Sequence, residues 1–177
     1  TRYQMIESGL ADYVTLIPSQ LIEKLENNPR VSVSYHHSWT NEFYLLNTKK
    51  PPTDNLWFRR AIASSLDRNT LSTYVYRKTG VDSKGLIPQN IPLFLEPDSL
   101  IDFDLDAARK YLKRSGLEPN SVNLDLSYVS TYEAYRLTAF MLLDNLKKIG
   151  VRLDLKPGLW STNWDKAKNL DTAPNII

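Results

Sequence analysis

Two segments that alternate between apolar and polar residues flank one long helix-like segment. The first, "VNLDLSY", covers residues 122–128, and the second, "VRLDL", covers residues 151–155. Alternation with a period of two is typical of strands that bury one face. Residues 132–148 between them have the length of a helix and end at Gly150. Because two strands joined through a helix lie parallel in one sheet, this feature predicts a βαβ unit and an α/β fold.

Three further strands are predicted in the first 50 residues. "DYVTLI", residues 12–17, is apolar and β-branched and is expected to be a buried strand. "RVSVSYHH" alternates from residue 31 onward and is expected to be half-buried. "EFYLLN", residues 42–47, is almost continuously apolar, which predicts a strand that is buried on both faces.

The remaining helices are predicted from their capping residues. Short helices are expected over residues 1–8, before Gly9, and from Pro18 and Ser19 onward. Four other helices are expected, and for three of them two residues could be the cap. Their caps are Thr53 or Asp54, Asp67, Asp104 or Asp106, and Ser161 or Thr162. The Asp67 helix should run to about residue 78 and stop at Gly80. Residues 80–100 form a loop with apolar residues at 87, 91 and 93–95, so we expect the loop to pack on the surface of the domain.

Composition excludes several classes of function. The formal net charge is only +2, which argues against a nucleic-acid partner. The chain has no cysteine, so disulfides, cysteine-ligated zinc and a cysteine nucleophile are excluded. No segment approaches the roughly 20 apolar residues that cross a bilayer.

No catalytic or metal-binding constellation is apparent. The two histidines, His36 and His37, are adjacent in a predicted strand and therefore point to opposite faces. Asp125 and Asp154 lie on neighbouring strands without a nearby base. A phosphate-binding glycine loop and a nucleophile elbow are both missing. We therefore predict a protein that is not an enzyme, with no cofactor and no metal.

A candidate ligand site lies where the strand at residues 122–128 gives way to the long helix. Open α/β sheets place their ligand clefts at the carboxyl ends of strands. The segment "YVSTY" supplies Tyr128, Ser130, Thr131 and Tyr132 at this position. Ser130 or Thr131 can cap the helix, whose first N–H groups can face an anion. Tyr128 can instead belong to the core, and Trp57 and Trp164 are assigned to the core.

The region "YLLNTKKPPTDNLWFRRAIASSLDRNTL…GLIP" resembles the signature region of the family 5 extracellular solute-binding proteins. "IESGLADYVTLIP" is similar to an upstream strand entry of that family, and "KKIGVRLDLKPGLW" to a downstream strand and helix. Leu56-Trp57-Phe58 and Gln89 depart from the family pattern, at positions that concern packing or the loop. The matching residues are Asn47, Pro52, Asp54, Arg59, Ala61, Ile62, Leu66, Asp67, Arg68, Ile87 and Pro88.

The resemblance implies a periplasmic-binding-protein-like lobe with a mixed sheet flanked by helices. Residues 1–177 are then expected to be the second α/β lobe of a two-lobed protein, as a fragment truncated at both ends. The implied function is solute capture for an ABC importer. Its expected partners are a membrane permease and a small solute such as a peptide, an oligosaccharide or a metal chelate. The full-length protein is expected to be periplasmic or extracellular and membrane-associated. An alternative is the ligand-sensing lobe of a cytosolic transcription regulator.

Overall fold

The computed structural model describes the backbone of residues 1–177 and every side chain except that of Lys78. A π-helical turn, Leu71–Tyr76, and a 3-10 turn, Arg77–Thr79, continue the short helix Arg68–Thr70. Within the part of the chain that is described, no helix is long and apolar enough to span a membrane. The elements are α1 (Arg2–Glu7), α2 (Ser19–Glu26), α3 (Leu56–Ser64), α4 (Arg68–Thr70), α5 (Leu105–Arg114), β1 (Asn123–Val129), α6 (Glu133–Lys148), β2 (Arg152–Gly158) and α7 (Trp160–Ala167).

The predicted βαβ unit is present, and its two strands are parallel. β1 pairs with β2 in a register that sets Leu124 opposite Leu153 and Val129 opposite Gly158. Helix α6 covers these strands, with Leu142 and Leu146 fully buried. The alternating strands and the apolar face of the helix bury the same core, which confirms the α/β prediction.

Residues 175–177 widen this sheet and make it mixed. Ile176 lies between two segments, parallel to Leu126 of β1 and antiparallel to Leu46. The N–H of Leu45 donates to the carbonyl of Ile177 at 2.9 Å, and the N–H of Ile177 donates back to the carbonyl of Leu45 at 3.1 Å. The segment at residues 42–47 is therefore paired, but the prediction that both of its faces are buried is wrong. Phe43 and Leu45 are exposed, and Tyr44 and Leu46 are only partly buried.

Helices α3 and α5 complete the core. Phe58, Ala61 and Ile62 of α3 belong to one buried cluster with Ala108 and Leu112 of α5. Trp57, predicted in the core, is only partly buried and lies outside that cluster.

The caps of these helices were predicted in part. Asp104 caps α5, and Asp67 caps α4 by accepting from the N–H of Thr70 at 2.9 Å. The cap of α3 is Asn55, so the prediction of Thr53 or Asp54 is wrong. Thr53 is buried, and its hydroxyl donates to the carbonyl of Asn47 at 2.7 Å, so it holds the preceding turn instead.

The strands predicted at residues 12–17 and 31–36 are not formed. Both segments are extended or irregular, and neither has a ladder partner among the described residues. Tyr13 and Leu16 are largely exposed. Alternation shows that a segment can bury one face, but a strand also needs a neighbouring backbone to receive its hydrogen bonds.

The loop at residues 80–100 does not pack as predicted. Leu93 is 97% exposed and Leu95 is 87% exposed, and Ile87 is also exposed. Only Ile91 and Phe94 are half-buried. Three of the five apolar residues named for this loop are therefore exposed to solvent.

Candidate functional site

The carboxyl ends of β1 and β2 form the edge at which the predicted site lies. The N–H of Ser130 donates to the carbonyl of Gly158 at 3.0 Å, and the Ser130 hydroxyl donates to the same oxygen at 3.3 Å. These bonds extend the pairing of the two strands by one residue and fix where the chain leaves the sheet. The segment that follows is thereby held at the edge where α/β sheets bind ligands.

The four predicted residues have different environments. Tyr128 is half-buried, and its carbonyl accepts from the Asn163 side-chain amide of α7 at 3.0 Å. Ser130, Thr131 and Tyr132 are exposed, with Tyr132 at 55%. We call these four residues the carboxyl-edge site. The structure brings them together on one turn, and the three exposed side chains are accessible to a ligand.

Neither Ser130 nor Thr131 caps α6. The N-cap position is Tyr132, which makes no side-chain cap hydrogen bond. The Ser130 hydroxyl is already bonded to Gly158, so it is not available to the helix. Glu133 in the first turn forms an ion pair with Arg136 and supplies a negative charge there. An anionic ligand group is therefore less favoured at this helix end than the sequence suggested.

Two tryptophans of α7 lie beside this edge. The rings of Trp160 and Trp164 are stacked, with centroids 5.3 Å apart and planes inclined by 14°. Trp160 is 58% exposed and Trp164 is 40% exposed, so the assignment of Trp164 to the core is wrong. Their spacing of four residues on a helix was the signal that could have identified the pair. Together they present an apolar, planar surface two residues beyond Gly158.

The α7 cap was also predicted incorrectly. Its N-cap is Leu159, which makes no side-chain hydrogen bond, while Ser161 and Thr162 lie inside the helix. Asn163 accounts for the position of the helix, because its buried amide bonds β1 and its side chain packs against Gly158. The helix is therefore placed by a tertiary contact with the strand edge.

A second aromatic pair connects the site to the rest of the molecule. The rings of Tyr132 and Tyr135 are 5.2 Å apart. The Tyr76 hydroxyl donates to the Glu42 carboxylate. Burial, together with the charge of Glu42 and a hydrogen bond to it, raises the pKa of Tyr135 to about 12. The pKa of Tyr76 is also raised, mainly by burial and to a smaller extent by the Glu42 carboxylate. The Glu42 carboxylate therefore lies near Tyr135, whose ring neighbours that of Tyr132.

The side chains that could bind a metal ion do not cluster in the described part of the chain. Among the described side chains, no three histidine, aspartate or glutamate residues are close enough to hold a metal ion. His36 is exposed, and its Nε2 atom lies 3.0 Å from the Ser34 hydroxyl. The arrangement offers hydroxyl groups, aromatic surfaces and backbone groups, which are the elements of a binding site.

The fold is an α/β fold of the periplasmic-binding-protein-like type. Residues 1–174 match the model of the bacterial extracellular solute-binding proteins, family 5 middle region, and the chain belongs to this family.

Curated relatives include the heme-binding protein A of Haemophilus influenzae, which is 23% identical over 181 residues. That alignment covers 100% of this chain and 33% of the relative. The dipeptide-binding protein of Escherichia coli K12 is 26% identical over 127 residues, covering 70% of this chain and 24% of the relative. The chain therefore spans about a third or less of the length of these relatives.

Solved structures share the fold. A dipeptide-binding protein of Pseudoalteromonas sp. SM9913 in complex with Met-Leu superposes with a TM-score of 0.82 at 22% identity, over 94% of this chain and 34% of that one. DppA of Helicobacter pylori in complex with the peptide STSA superposes with a TM-score of 0.82 at 22% identity, over 99% of this chain and 33% of that one. The family resemblance and the predicted lobe fold are confirmed.

Proposed function

We propose that this chain is the second α/β lobe of a two-lobed solute-binding protein that delivers a small solute to an ABC importer. The observation that carries the proposal is the carboxyl-edge site beside the stacked Trp160 and Trp164. It combines exposed hydroxyls with flat apolar surfaces, which suits a solute with both polar backbone-like groups and apolar side chains. Closure of a second lobe over this edge would bury the solute.

Exposed apolar residues support the presence of a second lobe. Tyr13, Leu16 and Trp39 in the first 40 residues are largely exposed, and so are Leu93 and Leu95. Soluble monomers rarely leave so much apolar surface uncovered. The relatives are about three times longer than this chain, so in the parent protein further polypeptide is available to cover these residues.

Peptides are the first solute class to test. Names of relatives mention dipeptides, heme, nickel and glutathione, and two of the solved structures contain peptides. Metal chelates and oligosaccharides are the further classes in the proposal. The parent protein would act in the periplasm or outside the cell, associated with the membrane that holds its permease.

The proposal is tested with the complete protein. Thermal-shift screening against di- to tetrapeptides, heme, nickel–histidine and oligosaccharides identifies a solute. Ser130→Ala combined with Tyr132→Ala should then weaken its binding by about 1–3 kcal/mol in calorimetry, because hydrogen-bonding partners are lost at the site. The melting temperature without solute should stay nearly unchanged, since both side chains are exposed.

Tyr74→Ala, which removes an exposed tyrosine from the π-helical turn, is the matched control and should leave affinity unchanged. Unchanged affinity in the double variant, or a collapse of stability together with affinity, would show that the carboxyl-edge site is structural.

A further inference from the structure

The outer face of α3 and α5 carries a cluster of arginine and aromatic side chains that the solute site does not use. The Cζ atom of Arg114 lies 3.5 Å from the centre of the Trp57 ring, and that of Arg60 lies 4.7 Å from it. The Tyr111 ring stacks on Trp57 at 6.0 Å with an interplanar angle of 20°. We call Trp57, Arg60, Tyr111 and Arg114 the arginine–aromatic cluster. Tryptophan, tyrosine and arginine are the residues enriched at the energetic centres of protein interfaces.

Neither guanidinium of this cluster has a hydrogen-bond or ion-pair partner among the side chains and backbone groups that the structure describes. Stacking on an aromatic ring engages the flat face of a guanidinium and leaves the N–H donors at its edge free. The ring also limits the motion of a long side chain, so less entropy is lost when a partner binds. Two guanidinium groups held in this way are suited to bind carboxylates.

The ordinary explanation of a basic residue in the last turn of a helix does not account for Arg114. Cations at that position usually offset the helix dipole or bond the last carbonyls. Arg114 is instead placed over Trp57, and no bond from it to a carbonyl is present in the described chain. Lys113 beside it is exposed and adds positive charge, although the whole chain has a net charge of only +2.

Nearby carboxylates do not neutralise the cluster. Asp104 accepts from the N–H groups of Asp106 and Ala107, at 2.8 and 2.9 Å. Asp106 pairs with Arg109 at 2.7 Å, and Asp102 lies 3.6 Å from Arg68. Each of these acids has another partner, and none of them forms an ion pair with Arg60 or Arg114 among the described side chains.

A cavity of about 520 Å³ adjoins the cluster and is lined by Arg60, Tyr111, Ser64 and the chain at residues 99–102. A depression beside an aromatic–arginine group is where an interface side chain can be inserted and desolvated. The cluster itself does not project as an apolar wedge, because Trp57 is partly buried. This geometry favours a protein segment over a lipid surface.

We propose that the arginine–aromatic cluster is a docking surface for an acidic segment of a partner protein. Carboxylates of the partner bind the edges of Arg60 and Arg114, and a neighbouring side chain enters the cavity. The surface lies on α3 and α5, outside the carboxyl-edge site, so docking there is separate from solute binding.

The test uses the complete protein and a fluorescein-labelled peptide of eight glutamates separated by glycines, with a glutamine version as the peptide control. Fluorescence anisotropy should show binding of the glutamate peptide alone. Arg60→Gln with Arg114→Gln should weaken it at least about tenfold, the loss expected for charge-assisted hydrogen bonds. Arg109→Gln with Arg152→Gln removes the same charge from exposed positions outside the cluster and should change affinity by less than about twofold.

Trp57→Leu keeps every charge but removes the stacking surface, and it should also weaken binding. Circular dichroism checks that each variant is folded. If Trp57→Leu is not folded, the comparison of the two arginine double variants tests the proposal. Equal losses in the two arginine double variants would overturn the proposal, because the attraction would then be general electrostatics. Binding to phosphatidylglycerol vesicles through Arg60 and Arg114, without peptide binding, would overturn it in favour of a lipid surface. Binding by the 177-residue chain and not by the complete protein would also overturn the proposal, because the rest of the polypeptide would then cover this face.

Discussion

Asn175 joins three separate parts of the chain through one buried side chain that is 3% exposed. Its amide Nδ2 donates to the carbonyl of Pro51 at 3.0 Å and lies 3.3 Å from the Thr53 hydroxyl. Its Oδ1 atom accepts from the N–H of Asp125 at 3.3 Å, and its own N–H donates to the Asp125 carboxylate at 2.9 Å. Lys50 Nζ holds the same carboxylate at 3.2 Å. The local sequence "DTAPNII" does not predict this role, because all the partners of Asn175 are distant in sequence.

Asn175→Ala should lower the free energy of unfolding by about 1–3 kcal/mol, since it leaves buried polar groups without partners. Urea denaturation followed by circular dichroism measures this change. Asn27→Ala, at an exposed helix end, is the control and should change stability by less than about 0.5 kcal/mol. Equal effects of the two substitutions would show that the Asn175 hydrogen bonds contribute nothing specific.

Tyr135 makes stability depend on pH in the alkaline range. Its pKa in the folded protein is about 12, raised first by burial and then by Glu42, whereas an unfolded tyrosine titrates near its ordinary value of 10.0. The folded state therefore holds the phenol proton more tightly. The stabilisation is complete below about pH 10 and is lost as the pH rises from there toward 12.

Urea midpoints measured between pH 9 and pH 11.5 should accordingly fall less steeply in Tyr135→Phe than in the unaltered protein. Tyr74→Phe removes an exposed phenol and should leave the profile as it was. A Tyr135→Phe profile identical to the unaltered one would contradict the proposed environment of Tyr135.

At the scale of elements, the sequence predicted those segments whose partners are local. β1, α6 and β2 follow one another directly, so their pattern and connection suffice. The segments at residues 12–17 and 31–36 have the pattern of strands but no neighbouring backbone, and the pattern cannot supply one. The same reasoning applies to the site. The strand-to-helix turn at residues 128–132 could be located, whereas the Trp160–Trp164 pair was missed because burial of an aromatic residue is decided by tertiary contacts.

The loop at residues 80–100 should be cleaved early, since its apolar residues are exposed. Chymotrypsin should cut the 177-residue chain after Leu93 or Leu95 before it cuts within α5 or α6, because cleavage requires an accessible and locally unfolded backbone. Mass spectrometry of a time course identifies the order. First cuts inside α6, or a loop that resists cleavage, would indicate that the loop is packed after all.

At the scale of the whole molecule, the chain has a well-buried core and a partly uncovered periphery. The βαβ unit, α3 and α5 bury one continuous cluster. Many of the exposed large apolar side chains lie in residues 10–45 and 81–95, outside that cluster. This distribution suits a part that folds around its own core and completes its surface with additional polypeptide.

The 177-residue chain should therefore melt cooperatively but show no thermal stabilisation by solutes that stabilise the complete protein. A ligand at about one hundred times its dissociation constant adds roughly 2.7 kcal/mol to a protein that binds it. Parallel thermal-shift measurements on the two proteins test this expectation. Equal stabilisation of both would mean that a single lobe is sufficient for binding.

The pairing of Ile176 constrains the order in which this sheet can form during synthesis. Ile176 forms bridges to both Leu126 and Leu46. The adjacent Asn175 bonds to Asp125, which lies 50 positions earlier in the sequence. A ribosome adds residues in order, so the segment at residues 44–47 emerges long before residues 175–177, with which it pairs. During synthesis its backbone groups must remain solvated, and the sheet can close only when residues 175–177 have left the exit tunnel. Pairing between the segment at residues 44–47 and the rest of the sheet can therefore form only after residues 175–177 have been synthesised.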